Sequence, residues 1–374
     1  MKRKNLLLAQ NNMKKVLLTV TTLFGGGAER VVSVWANKLV GVDYNVSILL
    51  YGRSKNEYAI DPRIDVYTVA PTYQDFQEMS YITRLKKMRK LIKLISPDVM
   101  INFLPRMQIW MMFASFGMNL KRIETVRVNP WVVCRNSWME KKLWQLCFRR
   151  CDKIILQTEE QGYYFGKKDR CKGVVIPNPI DNVYYDSYVK HYSDKCINFI
   201  AAGRLTAQKN FPMLIDSFAK ALKKNNQIQL KIFGIGDESY TKNLQHQIDE
   251  LHMGGNIHLM GRSNCMSKEY TSADAFVLSS DFEGMPNALV EAMASGLVCI
   301  STDCKTGPRD MIIDGECGFL VNVNDSDSLA EKILEVSLMN REKRIMLGQN
   351  ARKRIMSICS ETKSLRKLMS AIES

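Results

Sequence analysis

Short runs of β-branched and apolar residues alternate with amphipathic helical stretches along almost the whole chain, and that alternation restricts the fold to parallel sheets wrapped by helices. In the first half KVLLTV (15–20), YNVSILLY (44–51), RIDVYTV (63–69), DVMINFL (98–104), RIETVRV (122–128) and DKIILQT (152–158) read as strands. The second half repeats the design with CINFIAAG (196–203), QIQLKIFG (227–234), NIHLMG (256–261), DAFVLSS (274–280) and LVCISTD (297–303). Helices are expected from near Phe211, Glu238, Asn264 and Asn287, and the stretch from Asp325 to the end reads as further helix. A chain of 374 residues suits two domains. The expected class is therefore α/β, with two doubly wound Rossmann-like sheets.

The alternation is interrupted by VVIPNPIDNVYYD (174–186), which places the expected boundary near 190: a first domain over 1–190 and a second over 191–356. Open α/β sheets bind ligands at the carboxyl ends of their strands, so a cleft between the two sheets is the expected site. The most apolar stretch, Val99 to Met118, carries Asn102, Arg106 and Gln108 and reads as a strand running into a helix, not as a membrane span. The opening MKRKNLLLAQNN has too short an apolar run for a signal peptide, and a second Met-Lys-Lys at Met13 leaves open whether residues 1–12 belong to the native protein. Ten cysteines without a CxxC pair read as free thiols in a reducing compartment, which points to the cytoplasm.

Charge is unevenly spread. Residues 1–190 hold 31 Lys and Arg against 16 Asp and Glu, which accounts for the whole formal charge of +15, while residues 191–374 balance. Within the first half, YITRLKKMRKLIK (81–93) sets basic residues among apolar ones at helical spacing, and KKLWQLCFRR (141–150) lies near Trp131, Trp138 and Trp144. Such patches fit an anionic membrane surface. Nucleic-acid binding rests only on the isoelectric point of about 9.3 and the basic helix, and is not expected.

Three segments carry chemistry. TTLFGGGAERVV (21–32) is a glycine turn feeding a helix, where free backbone N–H groups favour an anion such as phosphate. AAGRLTAQKN (201–210) sets Arg204 and Lys209 after a strand, a guanidinium fork beside a point charge, which can neutralise a pyrophosphate without a metal. SSDFEGMPNALVEAMASG (279–296) puts Glu283 on a loop, then Gly284, Met285 and Pro286 in a turn, with Asn287 placed to cap a helix carrying Glu291. Paired carboxylates suit sugar hydroxyls as well as acid/base work, and spacing does not separate these roles. FGIGDES (233–239) has two glycines of a dinucleotide fingerprint but not the third, against an NAD enzyme. Asp325-Ser326-Asp327 looks like a DxD metal triplet but directly precedes SLAEKI, so it is read as a helix cap and no metal or other cofactor is expected.

With Arg204 and Lys209 followed by Glu283, seven residues and Glu291, the chain resembles glycosyltransferase family 4, as do the turn at Gly26, Gly27 and Glu29 and the IPNPID segment (176–181). The resemblance implies a GT-B fold, two Rossmann-like domains facing across a cleft, with a C-terminal helix about 357–374 packing back on the first. It implies a retaining glycosyltransferase in which Arg204, Lys209 and Glu283 are catalytic and the leaving diphosphate takes the acceptor proton. Gly26 and Gly27, with turn residues Gly284, Met285, Pro286, Asn287, Ala288 and Leu289, would help hold the donor; Glu283 would meet its transferred sugar and Glu291 its ribose. Its base would lie near Gly234, Gly236 and Arg262.

One departure concerns the acceptor. Many relatives carry a histidine after a first-domain strand; here the region reads ETVRVNP (124–130), and residues 1–190 contain no histidine. Arg127 or Asn129, with Arg106, is expected there instead. The reading is transfer of a hexose or N-acetylhexosamine from a nucleotide sugar, with UDP expected, to a lipid-linked saccharide in bacterial surface polysaccharide synthesis, by a cytoplasmic protein peripheral on the inner face of the membrane. The alternative is a nucleotide-sugar 2-epimerase of the same fold.

Overall fold

The computed structural model describes residues 13–134, 137–187 and 196–374. The leading twelve residues and the boundary expected near 190 lie outside these. The chain forms two compact units, one ending at Pro179 and completed by Glu361–Ser374, the other Ile180–Ser360. The division thus falls directly after Pro177-Asn178-Pro179, within the segment 174–186 that interrupts the alternation.

The first unit holds a seven-stranded parallel sheet: β1 (Lys15–Val20), β2 (Asn45–Leu50), β3 (Asp65–Thr68), β4 (Val99–Asn102), β5 (Lys121–Thr125), β6 (Lys153–Leu156) and β7 (Gly173–Val175), in the order β3-β2-β1-β4-β5-β6-β7. The second holds β8 (Ile197–Ala202), β9 (Ile228–Phe233), β10 (Ile257–Gly261), β11 (Ala275–Leu278), β12 (Val298–Thr302) and β13 (Phe319–Val321), in the order β10-β9-β8-β11-β12-β13. β13 was not expected; three residues between turn formers are too few to display a period. Helices begin at Phe211, Glu238 and Asn287 as expected, and the fourth at Met266.

Strands covered by helices on both faces are buried along their length and mostly apolar, as β4, β11 and β12 are, while edge strand β3 is not. Alternate residues of the first sheet feed two layers. Leu18, Ile48 and Ile101 pack with Val32, Trp35 and Leu39 of helix Gly27–Val40. Leu17, Leu49 and Met100 pack with Met88, Ile92, Met107 and Met111 on the other face. The last helix, Glu361–Glu373, adds Leu368 and Ile372 to the first of these layers. Glu373 anchors its end, pairing with Lys14 at 2.6 Å and accepting from the Tyr44 hydroxyl at 2.8 Å.

A polar chain crosses the interior of the first sheet. Thr19 Oγ1 donates to Asn102 Oδ1 at 2.8 Å, and Asn102 Nδ2 donates to Glu124 Oε1 at 2.8 Å. Beside it Gln108 Nε2 donates to the Thr125 carbonyl at 2.7 Å, and Trp144 Nε1 to Gln108 Oε1. Glu124 Oε2 is buried with no partner among the described residues. Burial disfavours the carboxylate and raises its pKa from 4.5 to about 8. The folded protein therefore holds a proton that the unfolded chain releases, and this contribution to stability is lost as pH rises from about 4.5 to about 8. Glu124→Gln keeps the shape without the proton. The wild-type melting temperature is expected to fall relative to that of Glu124→Gln between these pH values; parallel melting curves for the two proteins would contradict the assignment.

Candidate active site

In each sheet the strand order reverses once, between β1 and β4 and between β8 and β11. Helices leave opposite faces at such a point and open a crevice beyond the carboxyl ends. In the second unit that crevice is a cavity of about 330 Å³. Ala202, Gly203 and Arg204 enter it from β8, Glu283 and Met285 from the loop after β11, and Asn287, Ala288 and Glu291 from helix Asn287–Ala294.

Lys209 ends a single 3₁₀ turn, Ala207–Lys209, and Asn210 after it takes a left-handed conformation with φ 46°. Asn210 caps helix Phe211–Leu222 and donates to Asp281 Oδ1 at 2.7 Å, tying the turn to the loop after β11. Ser279 Oγ donates to the Lys209 carbonyl at 2.8 Å. Gly203 leaves room for the lysine, since a Cβ there would stand 2.8 Å from Lys209 Cε. The ammonium reaches Glu283 Oε1 at 2.6 Å, which also accepts from Ser280 Oγ at 2.7 Å. Gln208 Nε2 donates to the Phe282 carbonyl at 2.8 Å and lies 3.5 Å from Glu283 Oε2.

The Glu283 backbone is held by Lys305 and Thr306, whose carbonyl and N–H bond it at 2.9 Å each. Thr306 Oγ1 donates to the Gly284 carbonyl at 2.7 Å, and Gly307, at φ 105°, lets this loop pass Pro286. The loop after β12 therefore shapes the carboxylate turn. In the sequence this loop is marked only by its Gly307-Pro308 turn, beyond the end of β12. Arg204 is exposed and has no ion pair among the described residues, so its guanidinium is available to an anion.

Of the expected site residues, Arg204, Lys209, Glu283, Met285, Asn287, Ala288 and Glu291 line this one cavity. Gly284 and Pro286 form the turn behind it, and Leu289 is fully buried in the core. Asn287 is not the helix cap: Pro286 holds that position, without a side-chain cap bond. Gly234 and Gly236 are packing residues, since a Cβ on either would run into the carbonyl of Gly203 or Leu205. Arg262 is exposed beyond β10, outside the lining. Asp325 caps helix Ser326–Leu338, accepting from Ser328 N at 2.9 Å and Ser328 Oγ at 2.7 Å.

In the first unit, Gly26 caps helix Gly27–Val40 through its backbone alone, after Gly25 at φ 76°. Arg106 lines a second cavity at the β1/β4 reversal. Arg127 does not present its donors to a surface: it is buried over the Trp35 ring at 4.5 Å and the Phe103 ring at 5.2 Å. It donates to Asn178 Oδ1 at 2.9 Å, its Nε and Nη2 have no partner among the described residues, and burial lowers its pKa to about 9. Asn129 is a buried turn residue whose Oδ1 accepts from Trp131 N at 2.9 Å.

Residues 190–354 match the family described as "Glycosyl transferases group 1", and residues 21–158 the family "Glycosyl transferase 4-like". The chain is a GT4-like glycosyltransferase of the GT-B fold. A Campylobacter jejuni relative of this enzyme is a GalNAc-alpha-(1->4)-GalNAc-alpha-(1->3)-diNAcBac-PP-undecaprenol alpha-1,4-N-acetyl-D-galactosaminyltransferase, 28% identical over 91% of this chain and 94% of the relative. Among solved structures, Anabaena Alr3699/HepE with UDP and glucose superposes with a TM-score of 0.77 at 17% identity, covering 96% of this chain and 100% of that one. An S. aureus TarM variant with UDP gives 0.76 at 16% identity over 97% and 100%.

Within the glycosyltransferase site, Lys209 and Glu283 are 15% and 8% exposed, so removing one partner strands a charge in a poorly solvated place. Lys209→Met is expected to lower stability by roughly 1–3 kcal/mol, as for a buried group left without its partner. Adding Glu283→Gln should recover part of that loss, measured by denaturant unfolding. A loss in the double variant equal to the sum of the two single losses would mean the pair is not coupled in the folded protein.

Proposed function

We propose that the enzyme transfers a hexose or N-acetylhexosamine from a UDP-linked donor to a lipid-linked saccharide during bacterial surface polysaccharide synthesis, with retention and without a metal. The observation that carries this reading is the gathering of two cations and two carboxylates, Arg204, Lys209, Glu283 and Glu291, around one cavity at a strand-order reversal. UDP in the Anabaena and S. aureus structures and the undecaprenol-linked substrate of the Campylobacter relative support the choice of donor and acceptor.

In this reading Arg204 and Lys209 hold the donor diphosphate. The bond from sugar C1 to phosphate oxygen breaks while the acceptor oxygen bonds C1 on the same face. The acceptor proton passes to the departing phosphate oxygen. Negative charge grows on that diphosphate as the bond breaks, so fixed cations there stabilise the transition state more than the ground state. Lys209 shares its ammonium between the diphosphate and Glu283, whose place is fixed by Ser280. Glu283 meets the transferred sugar and Glu291 the ribose.

Lys209→Ala should lower kcat by about 10²-fold or more, the scale for losing one preorganised charge donor. Glu291→Gln should weaken UDP binding, and EDTA should change neither rate nor affinity. Full turnover by Lys209→Ala, or loss of activity with EDTA, contradicts the mechanism. Conversion of the nucleotide sugar with no acceptor present would replace transfer by 2-epimerisation.

The proposed membrane contact is the helical layer of the first unit. Helix Tyr81–Ile95 buries Met88, Ile92 and Ile95 and leaves Lys86, Lys87, Lys90 and Lys93 exposed beside Ile82 and Leu94, which are 68% and 70% exposed. Helix Pro105–Ala114 packs against it and in turn against helix Trp138–Arg150, where Trp138 and Met139 are exposed. Among the described residues no helix is long and apolar enough to cross a membrane. Vesicles containing phosphatidylglycerol should sediment the protein at low salt and release it at high salt. Equal, salt-insensitive binding to phosphatidylcholine vesicles would contradict an electrostatic contact.

A further inference from the structure

The 3₁₀ turn Ala207–Lys209 that delivers Lys209 to the cavity of the second unit also delivers Gln208, which lines the same cavity. The residue is held at both ends. Its carbonyl accepts from Asp281 N at 2.9 Å, and its side-chain Nε2 donates to the Phe282 carbonyl at 2.8 Å and stands 3.5 Å from Glu283 Oε2. A flipped amide would set Oε1 against that carbonyl and that carboxylate, acceptor facing acceptor, so the nitrogen must face the loop after β11. The oxygen, on the other branch of the same planar group, is thereby turned away from that loop. It has no hydrogen bond among the described residues and is not sealed from solvent.

Glu283 shows the same division. Its Oε1 takes the Lys209 ammonium and the Ser280 hydroxyl, while Oε2 has only the long approach of Gln208. Two neighbouring side chains therefore each keep an acceptor oxygen with lone pairs to spare, and both residues line one cavity. Such a pair selects against a phosphate, whose oxygens would set lone pairs against lone pairs. It calls for donors: two hydroxyls, or a hydroxyl and an acetamido N–H, on adjoining carbons of one ring. A ring lacking one of them would leave a desolvated acceptor unpaired, and that loss is what discriminates. We infer that Gln208 is a specificity-determining residue for the transferred sugar, its Oε1 accepting from a ring substituent next to the one that Glu283 accepts. This rests on the nucleotide-sugar donor of Proposed function, and it gives a role to a residue that the sequence patterns left unassigned.

The test is calorimetric titration of the full-length protein with UDP, with UDP-glucose, UDP-galactose, UDP-N-acetylglucosamine and UDP-N-acetylgalactosamine, and with monodeoxy analogues of whichever sugar binds best, one for each ring substituent in turn. Two analogues, their missing groups on adjoining carbons, are expected to bind roughly tenfold more weakly than the parent, the scale of one lost hydrogen bond. In Gln208→Leu one of those penalties should vanish and the other stay, while UDP affinity should remain within about twofold of wild type because the diphosphate cations are untouched. Gln208→Glu keeps an acceptor oxygen and gives up the amide donor, so it should retain the penalty that the leucine variant loses. Melting curves check that both variants are folded. Equal binding of all analogues by the wild-type protein would overturn the inference whether or not a variant folds. So would penalties unchanged in Gln208→Leu, or a penalty lost in both variants, which would trace to the bond with Phe282. A fall in UDP affinity matching the fall in sugar affinity would make Gln208 a support of the turn and nothing more. Failure of UDP and of all four UDP-sugars to bind would overturn the donor reading and the inference with it, whereas UDP binding with no substituent penalty would overturn the inference alone.

Discussion

Parallel strands place all their chain reversals outside the sheet, and where the order of strands turns back on itself no helix covers the strand ends. That constraint acts twice here, between β1 and β4 and between β8 and β11. Each time, the loops that leave the sheet carry polar side chains into a space the fold itself cannot fill. The second unit fills its crevice edge with Arg204, Lys209, Glu283 and Glu291; the first sets Thr21, Cys134 and the Arg106–Glu140 pair beside Leu104, Pro105, Val132 and Val133. One architectural rule thus yields two cavities with different linings.

In the second unit the central interaction is the contact of Lys209 with Glu283. An isolated ammonium or carboxylate at 15% or 8% exposure would be poorly solvated, and together they neutralise each other while Ser280 and Gln208 satisfy the remaining carboxylate positions. The pair is assembled from three separate loops, after β8, β11 and β12, with Thr306 holding the backbone under Glu283. A rigid carboxylate and a cation with one bond already made are suited to stabilising charge that appears elsewhere, because neither has to reorganise when it does.

Arg204, Lys209, Glu283 and Glu291 were legible in the sequence because each follows a recognisable β-branched run and a turn, and topology then dictates that such residues gather. Gln208, Ser280 and Thr306 were not, since a hydroxyl or amide has no periodicity and their contacts join segments far apart in the chain. Gly234 and Gly236 were placed near the donor base by resemblance alone, and what the fold brings against them is the chain at Gly203 and Leu205, a contact between strands that no local pattern announces. Arg127 shows the opposite limit: it was expected to stand where relatives carry a histidine near the acceptor, and only tertiary packing against Trp35 and Phe103 covers it. The cap of helix Asn287–Ala294 was placed one residue late for a local reason, because Pro286 can occupy the capping position while lacking the side-chain oxygen that marks one in a sequence.

The helix Glu361–Glu373 has a consequence for how the protein comes into being. Leu368 and Ile372 complete a layer that otherwise consists of residues from the first half of the chain, among them Val16, Trp35 and Ile48. Domains generally fold in order as they leave the ribosome. Here the unit made first lacks part of its interior until helix Glu361–Glu373 has been made, whereas the second unit has all of its own by Ser360. The amino-terminal sheet waits with an open apolar face through the synthesis of the whole second unit, so the emergence of helix Glu361–Glu373, and not that of β7, is the event that closes it.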